Sequence, residues 1–515
     1  MWSVLTATAF ALPDHPCHTM QLMPSATPLV QNVPKAFAGL QVRDIYGLPN
    51  ELTSAHYVLH WGNSDGGITD LEREQLLDGF EVAWEQQIDV MGHPAPATTD
   101  AYLFNVYIGD SGNGAPSAYG AAGWYWTDSY GYPMIVISKD VFFDPDYVDS
   151  VSSHEFYHAI QGSTNRYTYE GVSAWYWEAT AEWAAIETHP TNPFSGPFVF
   201  SYAMLPELPV NFFDYPDSGI LEEYYQYGAF LFPLDLSNQY GFEAVRDSWI
   251  VPGAEIDPLE VLRANLGDAG ADLDELWLDH LGRNTVFDYD QGANYLYNTE
   301  YYEAFWPSHR ITDTVTGDGG SGRVDGAIAP YRYGAANLLL DNPSAGTLEV
   351  RITGDSLGDE GSPATYGARI VRNTGGVYEY LEVPFVDEVG TLDVLDVGDE
   401  DEIWLAVGVW TESTDQWDTE QFEFDWSLEV IAVEPPEPVD SGTDPTVDSG
   451  TGPTDPGTDP EPDTGTTPGE DEDPPAEDDT GVKAPVSCAC DGAGSPAAGW
   501  LGFAALALVG RRRRS

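Results

Sequence analysis

Basic residues are scarce in this 515-residue sequence, where 19 lysines and arginines stand against 85 aspartates and glutamates and the formal net charge is −66. Lysine occurs only at Lys35, Lys139 and Lys483. Because proteins bind the phosphates of nucleic acids through basic surface, this charge balance excludes nucleic acid as an expected partner. A strongly acidic surface keeps a protein soluble and repels like surfaces. We expect a monomer.

Cysteine is equally scarce, with only Cys17, Cys488 and Cys490 in the whole chain. No cysteine lies in the body of the sequence, so a disulfide-stapled scaffold is excluded there. This does not indicate the cytosol, because a large domain can work outside the cell without disulfides.

Both ends of the chain carry targeting features. Residues 1–19 are a candidate signal segment: they begin with an apolar run in which Ala9 and Ala11 are small, although no basic leader precedes it. Residues 488–515 contain cysteines, an apolar run over 497–510 that is short for a membrane span, and four arginines. That order resembles the myxobacterial C-terminal sorting signal. The resemblance implies transient membrane association, removal of the tail, and a secreted or cell-surface bacterial protein.

Composition divides the rest of the chain into three parts. Residues 434–487 consist largely of Pro, Asp, Gly, Thr and Glu, which predicts a disordered acidic stalk. Residues 309–433 contain short runs of β-branched and aromatic residues separated by Gly, Asp and Asn, which predict an accessory β-sandwich. Residues 20–308 mix strand and helix patterns. A helix is expected to begin at Pro145 with Asp144 as its N-cap and to end near Gly162.

The stretch SSHEFYHAIQGS places His154 and His158 four residues apart, with Glu155 directly after the first. On a helix these two positions share one face, so both imidazoles can reach one ion. Zinc accepts histidine nitrogens at about 2.0–2.1 Å, and Glu155 can reach a metal-activated water. We predict a zinc peptidase site with Glu155 as the general base. The alternative is a pair of core histidines on a buried helix.

A catalytic zinc also needs a third protein ligand and an open position. Residues 173–187 are predicted to form a second helix, and Glu178 on it lies twenty positions after His158. Glu182, one turn further, can accept a hydrogen bond from a ligand histidine and fix its orientation. Glu178 is the predicted third ligand, with Glu182 and Glu170 as its rivals.

The order HExxH, a gap of about twenty residues and W-x-x-E-x-x-A-E resembles the gluzincin metallopeptidases. HEFYHAIQG followed by WYWEATAEW is closer still to uncharacterised secreted peptidase-like proteins of myxobacteria. The resemblance covers roughly residues 50–280. It implies a zincin-like α+β catalytic domain over residues 20–308, with a mixed sheet, an active-site helix and then a helical subdomain. It also implies one catalytic Zn²⁺ ion held by His154, His158 and Glu178, with Glu155 as the base.

The stretch YYQYG is similar to the Tyr-x-x-Gly helix of the aminopeptidase branch of that family. This similarity implies that Tyr225 stabilises the oxyanion, with Tyr224 and Tyr227 as alternatives. The sequence lacks the G-x-M-E-N segment with which aminopeptidases hold a free amino terminus. We therefore expect an endopeptidase that acts on a protein or peptide, held by strand addition to an edge strand at residues 134–138.

Two further hypotheses concern ligands and function. The loops GDSGNG and TGDGGSG are rich in Asp and Gly, but they lack the ligand periodicity of a calcium loop, so calcium has no motif in its support. The alternative function is a non-catalytic cell-surface adhesin in which a vestigial or structural metal site supports a binding module.

Overall fold

The computed structural model describes residues 15–17 as backbone and, in full, residues 40–168, 171–214, 219–253, 256–411 and 420–432. The predicted stalk, the sorting tail and most of the candidate signal segment lie outside the described residues, as does Glu170. Within the described part of the chain, no helix combines the length and the apolar character that crossing a membrane requires.

A six-stranded mixed sheet forms the first half of the structure. Its strands are β1 (His15–Cys17), β2 (Asn50–Thr53), β3 (Tyr57–Trp61), β4 (Phe104–Gly109), β5 (Ala121–Thr127) and β6 (Pro133–Ser138), in the spatial order β1-β5-β6-β4-β3-β2. β1 and β5, β6 and β4, and β4 and β3 are parallel pairs, whereas β5 and β6, and β3 and β2, are antiparallel.

The position of β6 corrects the prediction that residues 134–138 form an edge strand. β6 lies between β5 and β4 and pairs with both, so its backbone is not open to strand addition. Every residue of β6 is buried. An unbroken apolar run such as PMIVIS is typical of a strand covered on both faces, and such strands lie in the interior of a sheet.

Three helices lie against this sheet or against one another. α1 (Asp70–Trp84) begins with a capping box between Thr69 and Glu72 and continues as a π-helical turn, Glu85–Val90. α2 (Pro145–Thr164) begins as predicted, with Asp144 as its N-cap, and ends at Asn165 in the left-handed region. α3 (Ala174–Thr188) follows and packs on α2.

Seven further helices in the described residues build the helical part. They are α4 (Gly196–Met204), α5 (Ile220–Gly228), α6 (Leu231–Tyr240), α7 (Glu243–Ile250), α8 (Pro258–Asp268), α9 (Leu273–Val286) and α10 (Gly292–Glu303). Both α5 and α6 pack against α3, which places α3 between α2 and the helical part. As a result α2 and α3 are buried along most of their lengths.

Two five-stranded sheets form the β-sandwich. One has the order β13-β14-β10-β16-β8 and the other β12-β11-β15-β9-β7. The strands are β7 (Asp313–Gly317), β8 (Gly319–Val324), β9 (Gly334–Pro343), β10 (Gly346–Gly354), β11 (Thr365–Thr374), β12 (Val377–Val383), β13 (Phe385–Val386), β14 (Val389–Val397), β15 (Asp401–Trp410) and β16 (Phe424–Ile431). Val350, Ile370 and Leu405 are among the residues of its apolar core. The α+β part followed by an all-β part confirms the predicted fold class.

The sandwich packs on the helical part through α9, which contacts β11 and β15. A Cβ at Gly408 would lie 2.6 Å from the Trp277 ring, so the absence of a side chain there lets the tryptophan approach the strand. Arg369 of β11 adds ion pairs to Glu275 and Asp279 of α9, at 2.6 and 2.7 Å. Both halves belong to one compact unit.

Candidate metal centre

The two motif histidines meet on one face of α2. His154 is 7% exposed and His158 is completely buried. Their positions four residues apart bring the two Nε2 atoms within 3.1 Å of each other. Two imidazole nitrogens so close together, in a site closed to solvent, point at a common position.

Glu178 of α3 supplies the third atom of this group. Its Oε2 lies 3.2 Å from Nε2 of His154 and 3.4 Å from Nε2 of His158, and Glu178 is completely buried. Because the carboxylate approaches both imidazoles on the same side, the three residues together form a group that can hold a metal ion. His154, His158 and Glu178 are called the metal centre.

The distances fit the demands of zinc. Donors held about 2.0–2.1 Å from a tetrahedral ion lie about 3.3–3.4 Å from one another. The three separations in the metal centre are 3.1, 3.2 and 3.4 Å. Neither helix would therefore have to move for a zinc ion to bind. Two imidazoles and one carboxylate are also a donor set that zinc uses in catalytic sites.

Two side chains orient the histidines from behind. Oε2 of Glu182 lies 3.2 Å from Nδ1 of His154, and Oε1 of Gln161 lies 2.6 Å from Nδ1 of His158. Gln161 is itself fixed, because its amide nitrogen donates to the Trp177 carbonyl and to Thr180 Oγ1, both at 2.9 Å. A hydrogen bond at Nδ1 leaves Nε2 to face an ion and holds the ring in position.

Gln161 was missed by the sequence reasoning. The signal was present, because Gln161 follows His158 by three positions and side chains three residues apart are neighbours on a helix. The partner Glu182 had been predicted for a ligand histidine. The structure therefore gives each histidine its own hydrogen-bond acceptor.

The pKa values of Glu178 and His154 are shifted because acids and imidazoles lie close together in the metal centre. Burial alone would raise the pKa of Glu178, but the charge of His158 and the hydrogen bonds from both histidines lower it to about 2. Burial alone would lower the pKa of His154, but its hydrogen bonds with Glu178 and Glu182 raise it to about 10. The site therefore stabilises positive charge, which a divalent cation would supply.

Glu155 lies beside the metal centre and packs against β5. A Cβ added at Gly123 would lie 2.8 Å from Cγ and 2.9 Å from Oε1 of Glu155. Any side chain at Gly123 would therefore displace the carboxylate, and a glycine inside a strand is the sequence signal for such a close approach. Glu155 is 1% exposed.

Tyr225, the predicted oxyanion donor, and Tyr227, one of its alternatives, lie in different surroundings. Tyr225 donates its hydroxyl hydrogen bond to the Leu208 carbonyl at 2.9 Å, and its ring packs on Tyr202 and Phe212. The ring beside His154 belongs to Tyr227, with 5.9 Å between centroids. Because each helical residue turns by about 100°, two positions along α5 separate these side chains by about 200°.

The fold and this site define a class: an α+β protein, extended by a β-sandwich, whose two central helices carry a buried His-His-Glu group that can hold a metal ion such as zinc. The chain belongs to a family of unknown function, DUF6055, whose model matches residues 41–382. The match runs from just before β2 into β12, so it includes part of the sandwich. No curated protein matches the chain.

Two solved structures share partial likeness with the chain. The pre-peptidase C-terminal domain of a collagenase from Bacillus anthracis is 10% identical with a TM-score of 0.15, over 23% of this chain and 93% of that one. A family GH115 4-O-methyl-α-glucuronidase with specificity for decorated arabinogalactans is 9% identical with a TM-score of 0.14, over 57% of this chain and 39% of that one. Nothing about activity follows from likenesses this weak.

Proposed function

We propose that this protein is a zinc-dependent endopeptidase. The observation that carries the proposal is the convergence of His154, His158 and Glu178 on one point, at separations of 3.1–3.4 Å, with Glu155 as the next residue after the first histidine. The Nδ1 hydrogen bonds of both histidines support it, because they hold each ring with its Nε2 directed at the other two donor atoms.

In the proposed reaction the protein's own groups position and move protons. A zinc ion bound at the metal centre would act as a Lewis acid towards the scissile carbonyl and would lower the pKa of an attacking water. Glu155 accepts the proton of that water and delivers it to the leaving amine. Its carboxylate is kept in place by the close contact with Gly123, which leaves no space for a different orientation on that side.

The hydroxyl of Tyr227 is the proposed donor to the oxyanion, in place of Tyr225. Tyr227 packs between His154 and Phe198, with ring centroids at 5.9 and 5.1 Å. A donor close to a ligand histidine can act where negative charge develops in the transition state. The hydroxyl of Tyr225, in contrast, is directed at the Leu208 carbonyl.

The second candidate function is a binding protein with a structural metal ion, and the burial of the site favours it. His158 and Glu178 are completely buried, and a catalytic ion needs a position open to water and substrate. A structural zinc is normally closed by a fourth protein ligand. The metal-capable group in the described residues has three members, which favours the enzyme.

The experiment compares wild type with Glu155→Gln and His158→Ala. We expect wild type to contain one zinc ion and to cleave unfolded casein until a chelator is added. Glu155→Gln keeps its zinc and loses roughly 10² to 10⁴ in rate, since the amide has nearly the same size but cannot accept the proton. His158→Ala loses both zinc and hydrolysis.

Three outcomes would contradict parts of this proposal. Full zinc occupancy in His158→Ala would remove His158 from the ligands. Wild-type hydrolysis by Glu155→Gln would place the activity elsewhere or in a contaminant. A wild-type protein that holds zinc but shows no chelator-sensitive cleavage of any protein, before or after proteolytic nicking, would favour the binding protein.

We also propose that the protein acts outside the cell or on its surface. The support is the sequence of the two ends, above all the cysteines, apolar run and arginines over residues 488–515. Intact mass of the protein released from cells tests this, because removal of the tail predicts a product that lacks the four terminal arginines.

A further inference from the structure

A cavity lies where the helical part meets the β-sandwich. It contains about 410 Å³ of empty space, part of which is open to solvent. Small-molecule sites in proteins have volumes of about 300–1,000 Å³, so this cavity has room for a small ligand only. Its walls come from α4, α5, α9, β9 and the connection between α10 and β7, and they include Tyr202, Tyr225, Asn284, Arg310, Tyr333 and Asn337.

The three tyrosines give the cavity aromatic walls, while their hydroxyl groups are engaged inside the protein. The Tyr225 hydroxyl donates to a backbone carbonyl at 2.9 Å, and the Tyr333 hydroxyl donates to Asp274 at 2.9 Å. The Tyr202 hydroxyl lies 2.8 Å from Nε2 of His280. The tyrosines therefore present their rings to the cavity, as apolar surface.

The wall around Tyr202 is held by a buried hydrogen-bond network. Nδ1 of His280 lies 2.6 Å from Oδ2 of Asp235, which fixes the ring and directs its Nε2 at Tyr202. The amide nitrogen of Asn284 lies 3.0 Å from the same Nε2, and its amide oxygen accepts from the Tyr289 hydroxyl at 2.6 Å. This wall is thus formed before a ligand arrives, which lowers the entropy cost of binding.

Of the residues that line the cavity, Arg310 is the one that is charged at neutral pH. Its side chain is 12% exposed, its Nε donates to Oε1 of Glu303 at 3.0 Å, and its guanidinium lies 5.7 Å from the centre of the Trp404 ring. A guanidinium has five N–H donors, and this hydrogen bond uses one. Within the described part of the chain, Nη1 and Nη2 have no acceptor at hydrogen-bond distance. Their donors remain for a ligand.

The charges around the cavity favour an anion. Asp274 is paired with Arg263 at 2.8 Å and Asp235 with Arg283 at 3.3 Å, so both acids behind the wall are compensated within the chain. Glu303 is 24% exposed, so water screens part of its charge. A planar guanidinium matches the two oxygens of a carboxylate through parallel hydrogen bonds.

We propose that this cavity binds a small ionised carboxylic acid. The carboxylate accepts hydrogen bonds from Nη1 and Nη2 of Arg310, and the apolar body of the acid packs against the rings of Tyr202, Tyr225 and Tyr333. A free small acid and the C-terminal residue of a peptide present the same carboxylate, and the experiment below distinguishes them. The inference does not rest on the proposed peptidase function, because binding at this cavity requires neither zinc nor hydrolysis.

The experiment is calorimetric titration of the full chain with benzoate and with benzamide, which has nearly the same shape but no charge. We expect saturable binding of benzoate and at least about tenfold weaker binding of benzamide, since the amide cannot form the charge-assisted pair with Arg310. A second arm uses N-acetylphenylalanine and its amide, because the acetylated amino group mimics the last residue of a peptide.

Variants of the chain test the role of Arg310 and of the cavity itself. Arg310→Met should bind benzoate at least about tenfold more weakly than wild type. Ala203→Leu fills the cavity from α4 without changing Arg310, and it should also lose benzoate binding. The matched control is Arg246→Met, because Arg246 is 19% exposed and is likewise paired with an acid, Asp247, but lies outside the cavity. It should bind benzoate as wild type does.

The two variants keep the test decisive if one of them fails to fold, which circular dichroism would show. Unchanged benzoate affinity in a folded Arg310→Met or a folded Ala203→Leu would overturn the proposal, as would equal affinities for benzoate and benzamide. Binding of N-acetylphenylalanine but not of benzoate would assign the cavity to the end of a peptide. A folded wild type that binds neither acid would show that the cavity is not a carboxylate site.

Discussion

In the β-sandwich, the buried Arg369 and Asp401 form ion pairs with opposite charges, whereas in the metal centre and its surroundings three buried acids lie around two histidines. Arg369 pairs with two acids of α9, and the completely buried side chain of Asp401 pairs with Arg372 at 2.8 Å. Around the two motif histidines stand Glu155, Glu178 and Glu182, all at most 2% exposed.

The difference in charge pairing between these two regions indicates where a bound cation would be stabilised. A buried charge costs free energy unless it is paired or binds a metal ion. Arg369 and Asp401 satisfy that condition within the chain, through Glu275 and Asp279 for the one and Arg372 for the other. Beside α2 and α3, Glu178 and Glu182 contact the two imidazoles, and a divalent cation would add positive charge at the same place.

The largest expected effect on stability is in the sandwich. Arg372→Met leaves Asp401 buried without its ion-pair partner, and we expect a loss of about 3 kcal/mol in the free energy of unfolding. Arg369→Met leaves Glu275 and Asp279, which are about half exposed, to be solvated by water, and should cost about 1 kcal/mol. Urea denaturation measures both. Neither variant should alter zinc content, and a smaller loss in Arg372→Met than in Arg369→Met would contradict the comparison.

The next effect concerns the hydrogen bond between Nδ1 of His158 and Oε1 of Gln161. Gln161→Leu removes the acceptor at Nδ1, and we expect zinc affinity to fall about 10- to 100-fold, because the ring is no longer fixed. Gln87→Leu is the matched control, since Gln87 is also completely buried but donates to the Ser153 carbonyl of α2. Competition with a chromophoric chelator measures both affinities. Equal losses in the two variants would mean that packing, and not orientation of His158, is responsible.

A smaller effect distinguishes Tyr227 from Tyr225 on α5. Tyr227→Phe should lower the hydrolysis rate about tenfold while zinc content is unchanged, less than the 10²–10³ of a sole oxyanion donor because the ion shares the charge. Tyr225→Phe should leave the rate within about twofold, because its hydroxyl serves the Leu208 carbonyl. Steady-state kinetics on one peptide measures both rates. If Tyr225→Phe lowered the rate more than Tyr227→Phe, Tyr225 would have the role that the sequence resemblance implied.

The smallest effect comes from Asp149, an acid on α2 five residues before His154. Burial, together with the nearby Asp146 and Asp78, raises the pKa of Asp149 from its usual 3.8 to about 6. A raised carboxyl pKa means that the folded protein holds the proton more tightly, so this contribution to stability is complete below pH 3.8 and is lost as the pH rises through 6.

Asp149→Asn should therefore be more stable than wild type at pH 7.5 and equal to it near pH 4. Because Asp149 is partly exposed, the gain should stay below about 1 kcal/mol. Melting temperatures across this pH range measure the gain in stability. The control is Asp140→Asn, because Asp140 is exposed and its substitution should change stability little. A gain that persists unchanged at pH 4 would mean that the charge of Asp149 is not the cause.

Local patterns in the sequence predicted much of the fold. Asp144 and Pro145 predicted the beginning of α2, because an N-cap acceptor followed by proline is a short-range signal. Short runs of β-branched and aromatic residues between Gly, Asp and Asn predicted an all-β part over residues 309–433, where β7 to β16 lie. The spacing of His154 and His158 was informative for the same reason, since one helix turn relates them.

The sequence by itself determined that two histidines share a helix face and that acids on a following helix are available to them. It predicted Glu178 as the third ligand but kept Glu182 as a rival, because the two lie one turn apart on the same face of α3, and both in fact contact His154, Glu178 at Nε2 and Glu182 at Nδ1. Only the packing of α3 on α2 decided this, and only the packing of α5 decided that Tyr227 lies beside His154. The pairing of β1 with β5 likewise depends on tertiary structure, because it joins segments about a hundred residues apart in the sequence, and no local pattern records such a contact.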